Sequence, residues 1–173
     1  IQSAFCASVK LCISSVLVRH FVLFRNSWMQ KISMLLILAL IIRVKRPAKI
    51  DEIRKAERPV IYAGGGIRLS GGYEAFKKAS KLLGVPVVTY WNSIDVIEDK
   101  DPLYCGMGGN MGDRPGNFAV QNSDLLLTIG TRISIRQVGY DYGTWARAAE
   151  VIMVDIDKAE MKKPTIHVDM PVW

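Results

Sequence analysis

From residue 58 onward, short unbroken apolar runs alternate with stretches whose apolar residues recur every three or four positions. The unbroken runs are Val60-Ile61-Tyr62, Val87-Val88-Thr89-Tyr90-Trp91, Leu103-Tyr104-Cys105-Gly106, Asp124 to Gly130 (DLLLTIG) and Val151-Ile152-Met153-Val154-Asp155. They are rich in β-branched and aromatic residues, which suits strands. They lack polar alternation, which suits strands buried on both faces, as in a parallel sheet. Thr165 to Val168 reads as a final strand at the sheet edge.

The periodic stretches read as helices. Lys49 to Glu57 carries Ile50, Ile53 and Ala56 on one side. Gly72 to Leu83 carries Phe76, Ala79, Leu82 and Leu83, with Ser70 as its cap and Glu74 and Lys78 spaced for an ion pair on the wet side. Gly84 stands where a helix-ending glycine belongs, and Pro86 follows. Arg114 to Asn122 has Phe118, Ala119 and Val120 as inward candidates, Gly143 to Ala149 reads as a short helix, and Ile94 to Glu98 as a brief helical turn. Strict alternation of the two kinds of segment predicts an α/β fold, a Rossmann-like doubly wound parallel sheet of five to six strands. Ligands of such sheets sit beyond the carboxyl ends of the strands. Those ends are Gly64–Gly66, Trp91–Ser93, Gly106–Gly109, Gly130–Arg132 and Asp155–Asp157.

Charge divides the chain. The net charge is +7 over 173 residues. Residues 1–50 hold eight Lys/Arg and no Asp or Glu (+8), and residues 51–173 hold fifteen Lys/Arg against sixteen Asp/Glu (−1). The shift marks a boundary near Arg46-Pro47, with a basic apolar leader over 1–46 and one domain over 47–173. The near-neutral domain has no footprint for nucleic acid. In the leader, Ile32 to Ile42 is an eleven-residue apolar run broken only by Ser33, too short to cross a bilayer unaided, which takes about 20 residues. Ala4 to Phe24 is interrupted by Lys10, Arg19 and His20. The leader reads as a targeting or membrane-surface segment, as a core helix, or as sequence foreign to the domain. Opening on Ile1, the chain reads as a fragment or a processed product. Cys6, Cys12 and Cys105 are odd in number and unpaired in spacing, so they suggest neither a disulfide framework nor a zinc site and leave a reducing cytoplasm as the default, with organellar targeting by the leader left open.

Three glycine-bearing loops are the candidate chemistry. Gly64-Gly65-Gly66 follows the first strand, where glycines permit positive φ and close approach of another molecule. It supplies two positions of the dinucleotide fingerprint. Leu69 occupies the third, and the second strand ends Tyr90-Trp91-Asn92-Ser93 without an acid, so the NAD reading fails. The triplet reads equally as a tight structural turn and as a ligand cradle. Gly106-Met107-Gly108-Gly109 forms a second such loop. Arg132, past the longest strand, reads equally as an anion contact and as a solvated side chain; Arg136 reads as solvated. Asp155 and Asp157 could accept ribose hydroxyls, and Asp157 equally an N-cap role. Asp113 and Asp124 read as caps. Neither His20 nor His167 lies near a nucleophile pattern, and no catalytic constellation stands out.

Taken in order, RPVIYAGGGIRLSGG, GVPVVTYWNS, GNMGDRPGNFAVQNSDLLLTIGTRISIRQVGY and VIMVDIDKAEMKKP resemble the central domain of thiamine-diphosphate-dependent enzymes, nearest the acetolactate synthase type. The resemblance covers about residues 48–171 and implies a parent of three domains acting on 2-oxo acids as a carboligase or decarboxylase. Thiamine diphosphate and Mg2+ would then be held by outer domains whose motifs are missing here, and the parent would be a homo-oligomer. It implies FAD on this domain, as in acetolactate synthases, or no cofactor, as in many other members. By resemblance Gly64, Gly65 and Gly66 match the turn approaching the flavin nucleotide. Gly108 and Gly109 belong to the second glycine loop, Arg132 matches the arginine after the long strand, and Asp157 the acid near the ribose. Two positions depart: Asn110-Met111 stand where acetolactate synthases usually carry Met-His, and Ser134-Ile135 where paired acids usually follow the arginine. The alternative is a free-standing or degenerate nucleotide-binding module without catalysis.

Overall fold

A computed structural model describes residues 48–173, with side chains from residue 52. The leader, with Cys6, Cys12 and His20, lies outside the described residues, as does the side chain of Ile50. The elements in order are α1 (Ala48–Lys55), β1 (Pro59–Ala63), α2 (Gly66–Leu69), α3 (Tyr73–Leu83), β2 (Val87–Thr89), β3 (Tyr104–Met107), α4 (Arg114–Asn122), β4 (Leu125–Ile129), α5 (Ile135–Val138), β5 (Glu150–Val154) and β6 (Met170–Val172), with single 3₁₀ turns at Ile94–Val96, Tyr142–Thr144 and Glu160–Lys162. The six strands form one sheet in the order β3-β2-β1-β4-β5-β6, and every pairing is parallel. This is the doubly wound order, with the chain reversing direction across the sheet between β1 and β4.

Successive strand residues feed opposite faces. Val60, Tyr62, Val88, Leu126, Val151 and Met153 pack on one side with Val120 of α4, Trp145, Ala149 and Ile166. Ile61, Ala63, Val87, Leu125, Leu127 and Ile152 pack on the other with Phe76 of α3, Val96 and Ile97, and Ile53 and Ala56 lie against them. Both faces are covered, which is why the strands carry no polar alternation.

Several local expectations are corrected. The final strand is Met170–Val172, not Thr165 to Val168. Ile166 is buried and Val168 half-buried in the core, so the segment alternates like a strand while packing as coil. The ladder is entered one residue later, where Asp169 Oδ2 accepts the Val151 N–H at 2.8 Å and the Asp169 N–H donates to Val151 O at 3.0 Å. Pro171, which has no N–H, is tolerated because this strand is an edge. Ser70 does not cap α3. Its N–H closes the four-residue α2 on Gly66 O, its Oγ donates to Ile67 O at 3.1 Å, and α3 starts from Gly72 without a side-chain cap. Along α3, Ser80 is buried while Leu82 is 47% exposed. The ion pair on that helix runs from Lys77 to Glu98 at 2.9 Å. On α4 Phe118 faces outward, 57% exposed, with the Arg114 guanidinium 5.9 Å from its ring centre. The expected helix at Gly143 to Ala149 is a 3₁₀ turn at Tyr142–Thr144, broken where Ala146 takes φ 47°.

Other local expectations hold. Gly84 ends α3 at φ 63°, its N–H on Ser80 O. Asp113 caps α4 by accepting the Gly116 N–H at 2.8 Å. The cap expected at Asp124 is corrected: that residue caps no helix. Instead it accepts the N–H groups of Glu57 at 2.7 Å and Arg58 at 2.9 Å, stapling the start of β4 to the start of β1.

Candidate functional site

Parallel pairing puts the five strand-end loops at one edge, and hydrogen bonds knit neighbouring loops together. At the reversal point, the loop after β1 lies directly on the loop after β4. The Gly64 N–H donates to Ile129 O at 2.9 Å and the Gly66 N–H to Gly130 O at 2.9 Å. A Cβ on Gly64 would lie 2.3 Å from Gly130 O, and one on Gly66 2.8 Å from Gly130 Cα. These glycines let two backbones touch. Gly65 is different: a Cβ there would meet only Asn92, its O nearest at an ordinary 3.4 Å. Ser93, wholly buried, accepts the Tyr90 N–H at 3.0 Å and donates to Ala63 O at 2.9 Å, tying the loop after β2 to the end of β1.

The second glycine loop is held in the same internal way. The Gly108 N–H donates to Thr89 O and the Asn110 N–H to Arg136 O. Asn117 of α4 accepts the Gly109 N–H at 2.9 Å and donates back to Gly109 O at 3.1 Å. Gly108 lies over the Tyr62 hydroxyl, 2.7 Å from where its Cβ would be, and Gly109, at φ 94°, lies against Arg136 O. Both Tyr62 and Tyr90 are buried here; the Tyr62 hydroxyl lies beside Gln137, and the Tyr90 hydroxyl has no hydrogen-bond partner among the described residues. Burial pushes the Tyr62 phenol far above its ordinary range, so it stays neutral.

Arg132 follows at the end of the loop after β4, its side chain 74% exposed. Its Nε donates to Glu160 Oε1 at 2.8 Å. Lys163 Nζ donates to Glu160 Oε2 at 3.0 Å and to the carbonyls of Arg132 and Ile133. Burial alone would raise the Glu160 carboxyl; Lys163 and Arg132 outweigh it and hold it below the usual carboxylate range. A cleft of about 420 Å³ opens beside these residues, walled by Ile133, Ile135, Val138 and Tyr142. Ser134 and Gln137 form a reciprocal cap on α5, and Gln137 also donates to Thr131 Oγ1. Asp157 Oδ1 accepts the Ala159 N–H at 2.8 Å and Asp155 Oδ1 the Asp157 N–H at 2.9 Å, so both carboxylates shape the loop after β5. Trp173 closes this end, its Nε1 donating to Ile156 O at 2.8 Å and its ring facing Lys158 at 3.8 Å.

The structure therefore sets Gly64–Gly66 against Gly130–Thr131, Gly108–Gly109 against Tyr62, Tyr90 and Arg136, and Arg132 against Glu160 and Lys163. Among the described residues no hydrogen bond or ion pair joins Asp157 to Arg132 or to the glycines. His167 lies elsewhere, near Ala149 O at 3.2 Å. Glu160, Lys163 and Asn117 were missed from the sequence. Glu160-x-x-Lys163 has ion-pair spacing, but nothing local shows that the pair reaches back 30 residues. Among the described residues no group of acidic, His and Cys side chains could hold a metal ion, and no helix is long and apolar enough to cross a membrane.

Comparison with known proteins gives this edge its context. Residues 48–173 match the family described as the thiamine pyrophosphate enzyme central domain. A probable acetolactate synthase large subunit of Methanococcus aeolicus is 40% identical over 130 residues, covering 75% of this chain and 21% of that protein. The acetolactate synthase isozyme 2 large subunit of Escherichia coli is 35% identical over 120 residues, 67% of this chain and 22% of that protein. A probable chloroplastic acetolactate synthase 2 of Oryza sativa subsp. japonica is 42% identical over 118 residues, 66% of this chain and 17% of that protein. The chain spans about a fifth of the length of these relatives.

Proposed function

We propose, from the premise that the chain belongs to the central-domain family of thiamine pyrophosphate enzymes and is acetolactate synthase-like within it, that it works as the middle domain of a larger enzyme acting on 2-oxo acids. Residues 47–173 are that domain, and residues 1–46 are a separate segment. The observation that carries the reading is the match through the whole of 48–173. Thiamine diphosphate and Mg2+, held by outer domains, would supply the decarboxylation and carbon–carbon bond chemistry. This domain's part is architectural: it seats the outer domains, in a parent that assembles as a homo-oligomer.

The carboxyl edge is proposed to take the nucleotide part of FAD. Arg132 suits a diphosphate, because its Nη1 and Nη2 groups make no hydrogen bond among the described residues and are exposed. Asp155 and Asp157 keep carboxylate lone pairs for ribose hydroxyls. The glycines fit in a different way from a phosphate cradle. The N–H groups of Gly64, Gly66, Gly108 and Gly109 are spent inside the protein, so these loops would shape the edge and leave the anion to Arg132. Adding FAD to the purified chain, stripping free flavin and recording the visible spectrum tests this. Retained flavin absorption is expected in the wild type and its loss in Arg132→Ala; a wild type that stays colourless removes the FAD reading. Extending the reading frame tests the parent enzyme, which requires a downstream Gly-Asp-Gly…Asn metal motif.

A further inference from the structure

Two adjacent non-glycine residues in the loop after β4 take left-handed backbone, Arg132 at φ 59° and Ile133 at φ 50°. For residues with a Cβ such a conformation is strained. Ile133 is β-branched and 1% exposed, locked in the core beneath the loop. Strain of this kind persists only where the surroundings over-determine it. Lys163 is placed to help do so. Its ammonium has three N–H donors and meets three acceptors: Arg132 O at 2.5 Å, Ile133 O at 2.6 Å and Glu160 Oε2 at 3.0 Å. The two carbonyls belong to the two strained residues, and the same Glu160 carboxylate, through Oε1, also accepts from Arg132 Nε. With all three donors engaged, Lys163 has none left for a ligand. Its charge is spent on the loop, and the open guanidinium edge of Arg132 is what the loop displays.

We propose that Lys163 is a positioning residue, clamping the left-handed Arg132–Ile133 turn while Glu160 fixes the guanidinium, so that Arg132 meets a nucleoside diphosphate with its Nη edge already in place. The proposal rests on the nucleotide reading of this edge. The clamp removes the conformational cost that a free arginine would meet on binding. Arg132→Ala and Lys163→Met should therefore fail to add, because each removes the same contact.

The test uses the 173-residue chain, ADP as the probe and calorimetric titration of wild type, Lys163→Met, Arg132→Ala and the double variant. Lys163→Met is expected to weaken ADP about tenfold in the wild-type background and hardly at all in the Arg132→Ala background, as for one charge-assisted contact. Equal weakening in both backgrounds, or none in either, overturns the proposal. Hydrogen exchange without ADP supplies the second readout. The amides of Gln137, Val138 and Gly139, which bond back to Ser134 and Ile135, are expected to exchange about tenfold faster in Lys163→Met, because the clamped turn leads directly into α5. Unchanged exchange overturns the clamp itself. A wild type that does not bind ADP while Lys163→Met loosens these amides sinks the nucleotide reading and the display of Arg132 with it, leaving Lys163 a structural lysine.

Discussion

Gly64 shows how far one hydrogen-for-methyl change can carry. Its Cβ would fall 2.3 Å from Gly130 O and 2.3 Å from Thr131 Cα, both backbone atoms of a central strand's exit. Neither can move without dragging β4. Gly64→Ala is expected to cost about 3 kcal/mol or more, beyond the usual range for overpacking, and Gly65→Ala less than about 1 kcal/mol; urea unfolding of the two variants reads the difference. At the opposite edge, Glu150 sits with Glu52 and Asp169. Burial, then repulsion from those two carboxylates, raises its pKa. The folded state therefore holds this proton when the unfolded state has released it. Stability falls as pH rises from the unfolded value through the folded one, and the penalty is complete above that. Glu150→Gln is expected to raise the thermal midpoint at pH 7 and to leave it unchanged near pH 3, where both states are protonated.

The elements were legible where one kind of force fixed them. β4 was visible because Leu125, Leu126 and Leu127 must be buried on both faces, and the end of α3 because only a residue like Gly84 takes φ 63° cheaply. The edge was harder to read. Ile166 and Val168 alternate as a strand would, but the ladder depends on where Asp169 finds Val151, which no local pattern encodes. The candidate site was legible as a set of loops and illegible as a set of donors. A glycine that frees an N–H for an anion and a glycine that admits a second backbone look the same in sequence, and only tertiary contact separates them. α4 shows the same dependence: Asp113 caps the helix through Gly116 N–H and also accepts the Met107 N–H at 3.0 Å, so one carboxylate orders the helix start and the second glycine loop together. Asp113→Ala is expected to cost about 2 kcal/mol, the upper end for a helix cap, and to speed hydrogen exchange at Gly108 and Gly109 as well as in α4.

At the scale of the whole molecule, six parallel strands mean that no strand pairs with a sequence neighbour through a tight turn. The deepest contacts join distant segments, and both faces of the sheet depend on helices delivered between the strands. The carboxyl edge is built on this. Each loop is anchored on a neighbour across the sheet, so short irregular turns are held by backbone outside their own sequence.

The staple at Asp124 has a consequence in time. It joins the start of β4 to Arg58, 66 residues earlier, beside the pairing of Pro59 with Leu125. Until β4 is in place, β1 has β2 on one side and a bare edge on the other, an invitation to pair with a stranger. Such long loops are closed slowly, so a carboxylate that catches two amides as β4 arrives is placed to latch β4 onto β1. Asp124→Ala is expected to slow refolding in stopped-flow urea jumps more than it hastens unfolding, and to raise the aggregated fraction as protein concentration increases. The reverse partition would place the latch after the rate-limiting step.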